Sequence, residues 1–163
     1  MHAYRFRPFA YDDLAMVERW LHSPEVVRWW GEPAKQLALL KDDLSEPQMR
    51  QRIVEHRERP FAYVQSYEAH AWPQAHFQHL PYGAQVVDAF IGERKMLGCG
   101  HGSAFLRLFA SVLIEGGAPA VAIDPDIENL RARRAYARAG FVENSVVRTA
   151  DGRVALMVFD KNT

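Results

Sequence analysis

The pattern of apolar and polar positions is clearest in the second half of the chain, where short apolar runs alternate with longer runs of helical period. It predicts a strand, a glycine loop, a helix, a strand, a second helix and a final hairpin. The predicted ranges are Val86–Ile91, Leu97–Gly102, Ser103–Glu115, Ala120–Ile123, Ile127–Ala139, Phe141–Arg148 and Arg153–Phe159. Gly140 is placed to end the second helix, and Asp151-Gly152 to form the turn of the hairpin.

The first half predicts a strand, three helical segments and a hairpin. Their ranges are Tyr4–Pro8, Leu14–Leu21, Glu25–Trp30, Lys35–Glu46, and Gln51–His56 with Phe61–Tyr67 across a turn at Arg57–Pro60. Asp12 or Asp13 is placed to cap the first helix. The segment from His70 to Gly83 is irregular, and a loop of this length in a compact domain is usually functional or mobile. The whole order predicts an α/β fold, a mixed sheet with helices on its faces.

Composition narrows the class of protein. With 163 residues, 48% of them hydrophobic and 25% charged, the chain is predicted to form one domain over residues 1–163. The formal net charge is zero, so no global field attracts nucleic acid or an anionic membrane. No apolar run approaches the length that spans a bilayer, and the first five residues lack the apolar core of a signal peptide. The single cysteine excludes an intramolecular disulfide, which favours a cytoplasmic location.

The loop Leu97-Gly98-Cys99-Gly100-His101-Gly102-Ser103 carries the strongest chemical signal. Its three glycines have no Cβ, so the backbone can approach a ligand closely, and the first amides of the following helix can hold a pyrophosphate. The sequence contains neither a P-loop motif nor a dinucleotide fingerprint at its first strand. One hypothesis is therefore a nucleotide-type cofactor, and the other is a tight strand-to-helix connection without a ligand.

Two ordered motifs resemble the GNAT acetyltransferase superfamily. Residues 97–102 match its Gln/Arg-x-x-Gly-x-Gly/Ala motif at both glycines, with Leu97 where Gln or Arg is usual. The motif Asn-x-x-Ala-x-x-x-Tyr-x-x-x-Gly-Phe is present in full from Asn129 to Phe141. Within the superfamily the chain is similar to the aminoglycoside 6′-N-acetyltransferases. The segments that carry this similarity are Val26–Gly31, Tyr63–Tyr67, Val87–Gly92 and Asp124-Pro125.

The resemblance implies a GNAT fold, a mixed and mostly antiparallel sheet flanked by helices and opened beside Val87–Ile91, where free backbone takes up the arm of acetyl-CoA. It implies an acetyl-CoA-dependent, metal-free N-acetyltransferase for a small amine, the 6′-amine of an aminoglycoside antibiotic, and hence a role in antibiotic resistance. The expected state is a monomer or homodimer, without nucleic-acid or membrane partners. Two alternatives stay open: a siderophore-type hydroxylamine or other small amine as acceptor, and a non-catalytic domain that senses acetyl-CoA.

The resemblance also assigns site residues. Asp88 takes the proton of the amine, and Tyr136 supplies one to the departing sulfur. The cofactor is assigned to Ala89, Phe90, Ile91, Gly98, Cys99, Gly100, His101, Gly102, Ser103, Asn129 and Tyr136. The acceptor is assigned to Trp29, Trp30, Tyr67, Asp88, Asp124 and Asp151.

Most of these residues also have a structural interpretation. Tyr136, Trp29 and Trp30 can be core residues, and Asn129 can cap its own helix. Asp124 and Asp151 can belong to turns. Asp88 interrupts an apolar strand, where a buried carboxylate is costly unless a partner or a substrate meets it, and an arginine is the alternative partner.

One departure from the similar enzymes concerns charge. The irregular loop contains no acid between Ala71 and His79, whereas those enzymes carry several acids there, and this loss opposes a strongly cationic acceptor. The loop histidines, His70, His76 and His79, are interpreted as solvated side chains rather than metal ligands.

Overall fold

The computed structural model describes residues 3–163; Met1 and His2, the start of the segment considered for a signal peptide, lie outside the described residues. Backbone contacts divide the chain into two compact units. The first unit runs to Ser66 and resumes over Ala89–Gly98. The second unit comprises Tyr67–Asp88 and Cys99–Thr163.

The first unit combines an antiparallel sheet with three helices. Its elements are β1 (Tyr4–Pro8), α1 (Leu14–Leu21), α2 (Pro24–Trp30), α3 (Pro33–Asp43), β2 (Arg50–His56) and β3 (Arg59–Glu68), whose last two residues belong to the second unit. β1 pairs with β2, and β2 with β3. The apolar face of α1, with Val17, Trp20 and Leu21, is buried in one cluster with Tyr63 and Phe90.

The second unit contains the alternating half of the sequence. Its elements are β4 (Gln85–Ile91), α4 (His101–Glu115), β5 (Val121–Ile123), α5 (Leu130–Ala139), β6 (Phe141–Thr149) and β7 (Gly152–Phe159). The last three residues of β4 belong to the first unit. β4 pairs in parallel with β5. β7 pairs in antiparallel orientation with both β5 and β6. One parallel pair among antiparallel pairs confirms the mixed, mostly antiparallel α/β class. Within residues 3–163, no helix combines the length and apolar character needed to cross a membrane.

The predicted helices and strands of the second unit are present, with two helix boundaries wrong. α4 begins at His101 rather than Ser103, because Gly100 and not Gly102 lies in the left-handed region that precedes the helix. α5 begins at Leu130 rather than Ile127, because the preceding segment adds to the sheet. There the Ala155 N–H donates to the Pro125 carbonyl, and the Ile127 N–H donates to the Arg153 carbonyl.

Two local predictions in the first unit are also wrong. Asp13 does not cap α1 with its side chain, because its carboxylate accepts hydrogen bonds from the Ala10 N–H and from Arg7. The hairpin turn is only Arg57-Glu58, both at positive φ, so the two following residues already belong to β3.

Candidate active site

The parallel pairing of β4 and β5 ends early. It joins Gln85 to Val121 and Val86 to Ala122, which agrees with an opening of the sheet at Val87. Asp88 lies two residues beyond Val86, and Asp124 lies two residues beyond Ala122. The two acids therefore occupy matching positions where the strands stop pairing. Ligands of open α/β sheets bind beyond the ends of neighbouring parallel strands.

Two tyrosines share the electric field of these acids. Burial raises the pKa of Tyr136 well above its ordinary value, and the charges of Asp88 and Asp124 raise it further. Burial and the same two charges also raise the pKa of Tyr67, against the opposing effect of its hydrogen bond with Gln74. Both phenols are thus neutral proton donors at physiological pH, beside two carboxylates of the second unit.

The irregular loop that follows β3 is anchored at both ends. The carboxylate of Glu68 accepts hydrogen bonds from the His70 N–H at 2.6 Å and from the Gly83 N–H at 2.8 Å. Within the loop, Phe77 is fully buried and Leu80 is 7% exposed. The segment is therefore held as a packed part of the second unit, although it has no regular secondary structure beyond a single turn at Ala75–Phe77.

The loop also holds the hydroxyl of Tyr67. That hydroxyl donates to Oε1 of Gln74 at 3.1 Å, and the ring of Tyr67 packs edge-on against Trp72. With its own side chain only 7% exposed, Tyr67 is fixed in orientation by the loop.

The interpretation of all loop histidines as solvated is wrong. His76 Nε2 lies 2.9 Å from Asp124 Oδ2, and the His76 side chain is only 10% exposed. His70 Nε2 donates to the carbonyl of Leu80 at 2.7 Å. Only His79 is exposed as expected. Burial of the neighbouring Phe77 brings His76 to Asp124, a contact that the local sequence does not encode.

The glycine loop presents backbone rather than side chains. Gly98 has φ of 71° and Gly100 has φ of 84°, and a Cβ added at either position would meet no atom within 4 Å among the described residues other than its chain neighbours. Gly100 precedes α4 and has no side chain that could cap the start of this helix, where the first amides point out of the helix. Open space over such amides fits an anionic group such as a pyrophosphate.

Tyr136 lies on α5 of the second unit, and Asn129 directly precedes this helix. Oδ1 of Asn129 accepts a hydrogen bond from the Ala132 N–H at 3.2 Å, so this residue does cap its own helix. Its Nδ2 amide is not used in that cap. The ring of Tyr136 contacts Phe141, while the side chain remains partly exposed.

The remaining assigned residues are distributed as follows. Ala89, Phe90 and Ile91 end β4 within the first unit, which also contains Trp29 and Trp30. Trp30 packs edge-on against Tyr63 and Phe90, at centroid distances of 6.2 and 5.0 Å. The guanidinium of Arg28 lies over the ring of Trp29.

Asp151 lies exposed in the turn between β6 and β7. Its backbone N–H donates to the hydroxyl of Thr149, which is a turn contact. Within residues 3–163 the structure contains no group of three or more His, Cys, Asp or Glu side chains that could hold a metal ion.

Comparison with known proteins identifies the family. Residues 10–149 match the family model described as an acetyltransferase (GNAT) domain, and the chain belongs to this family. It is 30% identical over 158 residues to aminoglycoside N(6′)-acetyltransferase type 1 of Klebsiella pneumoniae, covering 90% of this chain and 77% of that protein. It is 32% identical over 77 residues to a kanamycin resistance protein of Rhizobium radiobacter, covering 47% of this chain and 71% of that protein.

Solved structures agree with this assignment. The aminoglycoside acetyltransferase AAC(6′)-Ib in complex with ribostamycin and coenzyme A superposes with a TM-score of 0.87 at 28% identity, covering 99% of this chain and 95% of that chain. The complex of the same enzyme with kanamycin and coenzyme A gives a TM-score of 0.86 at 28% identity, with coverages of 98% and 95%. The GNAT fold and membership of an acetyltransferase family are thereby confirmed.

Proposed function

We propose that this chain transfers the acetyl group of acetyl-CoA to a small amine, the 6′-amine of an aminoglycoside. The observation that carries the proposal is the joint placement of Asp88, Asp124, Tyr67 and Tyr136 in the second unit. Carboxylates attract an ammonium and can take its proton, and neutral phenols can protonate a departing thiolate. The second unit therefore contains candidate groups both for removing a proton from the amine and for protonating the departing thiolate.

The residues present fit acetyl-CoA. The open space at Gly100, beside the start of α4, suits the pyrophosphate, and the Nδ2 amide of Asn129, which takes no part in the helix cap, suits the pantetheine arm. Cys99, His101 and Ser103 contribute through their backbone. When bound, acetyl-CoA supplies an acetyl group already activated as a thioester.

In the proposed reaction, Asp88 accepts one proton from the acceptor ammonium, which frees the nitrogen lone pair. The nitrogen then forms a bond to the acetyl carbon, and the carbon–sulfur bond breaks. Tyr136 gives its proton to the sulfur, and the second proton lost by the nitrogen restores the phenol. The products are an amide and a free thiol, and Asp88 returns its proton to solvent.

We expect Tyr136→Phe to lower kcat about 10- to 100-fold, with little change in coenzyme A affinity or in the KM of the acceptor. The loss falls at or below the lower end of the range for a positioned acid, because a thiol with a pKa of about 8.5 is a good leaving group. Since the pKa of Tyr136 is raised, the phenol keeps its proton as pH rises towards 10, and its contribution should persist over that range. Thiol release at saturating substrates measures kcat.

The matched control for that variant is Tyr82→Phe, because Tyr82 is 85% exposed in the same unit. It should leave kcat unchanged. Equal effects of the two substitutions, or an unchanged kcat in Tyr136→Phe, would remove Tyr136 from the reaction.

The aminoglycoside acceptor is tested by one assay. Thiol release is followed with kanamycin, ribostamycin, 6-amino-6-deoxyglucose and a hydroxylamine-type siderophore precursor, and mass spectrometry locates the acetyl group. We expect acetylation of the 6′-amine. Turnover of the hydroxylamine alone would replace the aminoglycoside by the siderophore-type acceptor. Coenzyme A binding without turnover of any amine would favour a sensing domain.

We further propose that residues 1–163 act as one catalytic domain in the cytoplasm, where acetyl-CoA is available, as a monomer or homodimer. The single cysteine supports the cytoplasmic setting. If the acceptor is an aminoglycoside, the cell that carries the enzyme gains resistance to it.

A further inference from the structure

The contact between His76 and Asp124 has no role in the reaction proposed above. Nε2 of His76 lies 2.9 Å from Oδ2 of Asp124, and the two side chains are 10% and 21% exposed. Among the described residues, Oδ1 of Asp124 has no hydrogen-bond partner. One oxygen of this carboxylate is therefore engaged by the protein, and the other is available to a ligand.

The fold maintains this contact. His76 belongs to the turn Ala75–Phe77, whose last residue is fully buried, and Glu68 fixes both ends of the loop. The backbone that carries the imidazole is thereby held in the packed loop, and the ring itself is largely buried. An acceptor that approaches Asp124 therefore meets a carboxylate with one oxygen already hydrogen-bonded.

We propose that His76 is a specificity-determining residue, which weakens the hold of Asp124 on additional ammonium groups of the acceptor. A free carboxylate offers all of its acceptor sites to an ammonium, whereas in Asp124 the imidazole of His76 already occupies one acceptor site on Oδ2. The site therefore favours amino sugars with few ammonium groups over those with many. This inference rests on the amino-sugar acceptor proposed above.

The proposal separates two classes of acceptor. An amino sugar with one ammonium group presents that group to Asp88, where it reacts, and has none left for Asp124. A polyamine sugar presents a second ammonium group to Asp124. Removal of His76 should therefore change the affinity for the second class and not for the first.

The experiment compares His76→Ala with the unmodified enzyme, using kanamycin as the polyamine and 6-amino-6-deoxyglucose as the monoamine. We expect the KM for kanamycin to fall roughly three- to tenfold, the range of a partly buried ion pair or charged hydrogen bond. The KM for the monoamine and both kcat values should change less than about twofold on the same reasoning. His76→Gln, whose amide can donate to the same oxygen, should restore most of the original ratio of the two KM values.

His79→Ala is the control, because His79 is exposed in the same loop, and it should leave both KM values unchanged. An unchanged KM ratio in His76→Ala, a rise in the KM for kanamycin, or equal shifts for both amines would overturn the specificity role. A common fall in kcat would show instead that His76 only supports the loop. If the unmodified enzyme acetylates neither amine, the proposed acceptor fails, and this inference fails with it.

Discussion

Replacement of Asp88 by Asn is expected to lower kcat/KM for acetyl transfer by about 10²- to 10⁴-fold, the contribution of a positioned general base. The amide has nearly the shape of the carboxylate but can neither take a proton from the ammonium nor attract it by charge. Coenzyme A affinity, measured by calorimetry, should be unchanged because Asp88 is assigned to the acceptor. The loss should also shrink as pH rises towards the pKa of the acceptor amine, where the amine reaches the site already neutral.

The control for Asp88→Asn is Asp160→Asn. Asp160 is exposed, and its Oδ1 accepts a hydrogen bond from the Asn162 N–H, which an Asn side chain can preserve. It should retain full activity. A loss in Asp88→Asn that is independent of pH, or that is accompanied by weaker coenzyme A binding, would indicate that Asp88 supports the structure and does not act as a base.

The positions of the proposed catalytic residues follow to a large extent from local sequence. The spacing of Asn129 and Tyr136 predicts both on one helical face; the helix carries Tyr136, whereas Asn129 is the residue that caps its start. Asp88 stood out because it interrupts an apolar strand. The matching positions of Asp88 and Asp124 are not predicted from sequence, because they depend on the register in which β4 and β5 pair.

Other features depend on contacts that sequence patterns do not encode. The start of α5 was placed too early because the apolar Ile127 fits a helical period, whereas its N–H pairs with β7 across the sheet. The role of His76 was missed for a similar reason. Its partner Asp124 lies 48 positions away, and the contact is made from an irregular loop in which the neighbouring Phe77 is fully buried.

The contact between His76 and Asp124 changes the interpretation of the loop between Ala71 and His79, which contains no acid. From composition alone, the absence of acids suggested a weaker attraction for cationic acceptors. The structure adds a specific cause, because the loop also supplies a hydrogen-bond donor to one of the two central carboxylates. The absence of acids from the loop and the contact of His76 with Asp124 therefore both disfavour acceptors that carry many positive charges.

Gly100→Val is expected to abolish measurable coenzyme A binding. With φ of 84° and no protein atom within 4 Å of an added Cβ, the new side chain would extend into the space proposed for the pyrophosphate. A valine at positive φ is also strained, by about 1–3 kcal/mol, so stability must be measured together with binding. Calorimetry with coenzyme A and thermal unfolding of the same samples give the two quantities.

Gly117→Val separates strain from obstruction. Gly117 has φ of 107° and equally open surroundings, but it lies after the other end of α4. Both variants should lose comparable stability, since both place a β-branched residue in the left-handed region. Only Gly100→Val should lose binding, because only Gly100 directly precedes the start of the helix, where the pyrophosphate is proposed to lie. If both variants bind coenzyme A as the unmodified protein does, the pyrophosphate does not lie over this loop. The glycine motif would then form only a tight connection between strand and helix.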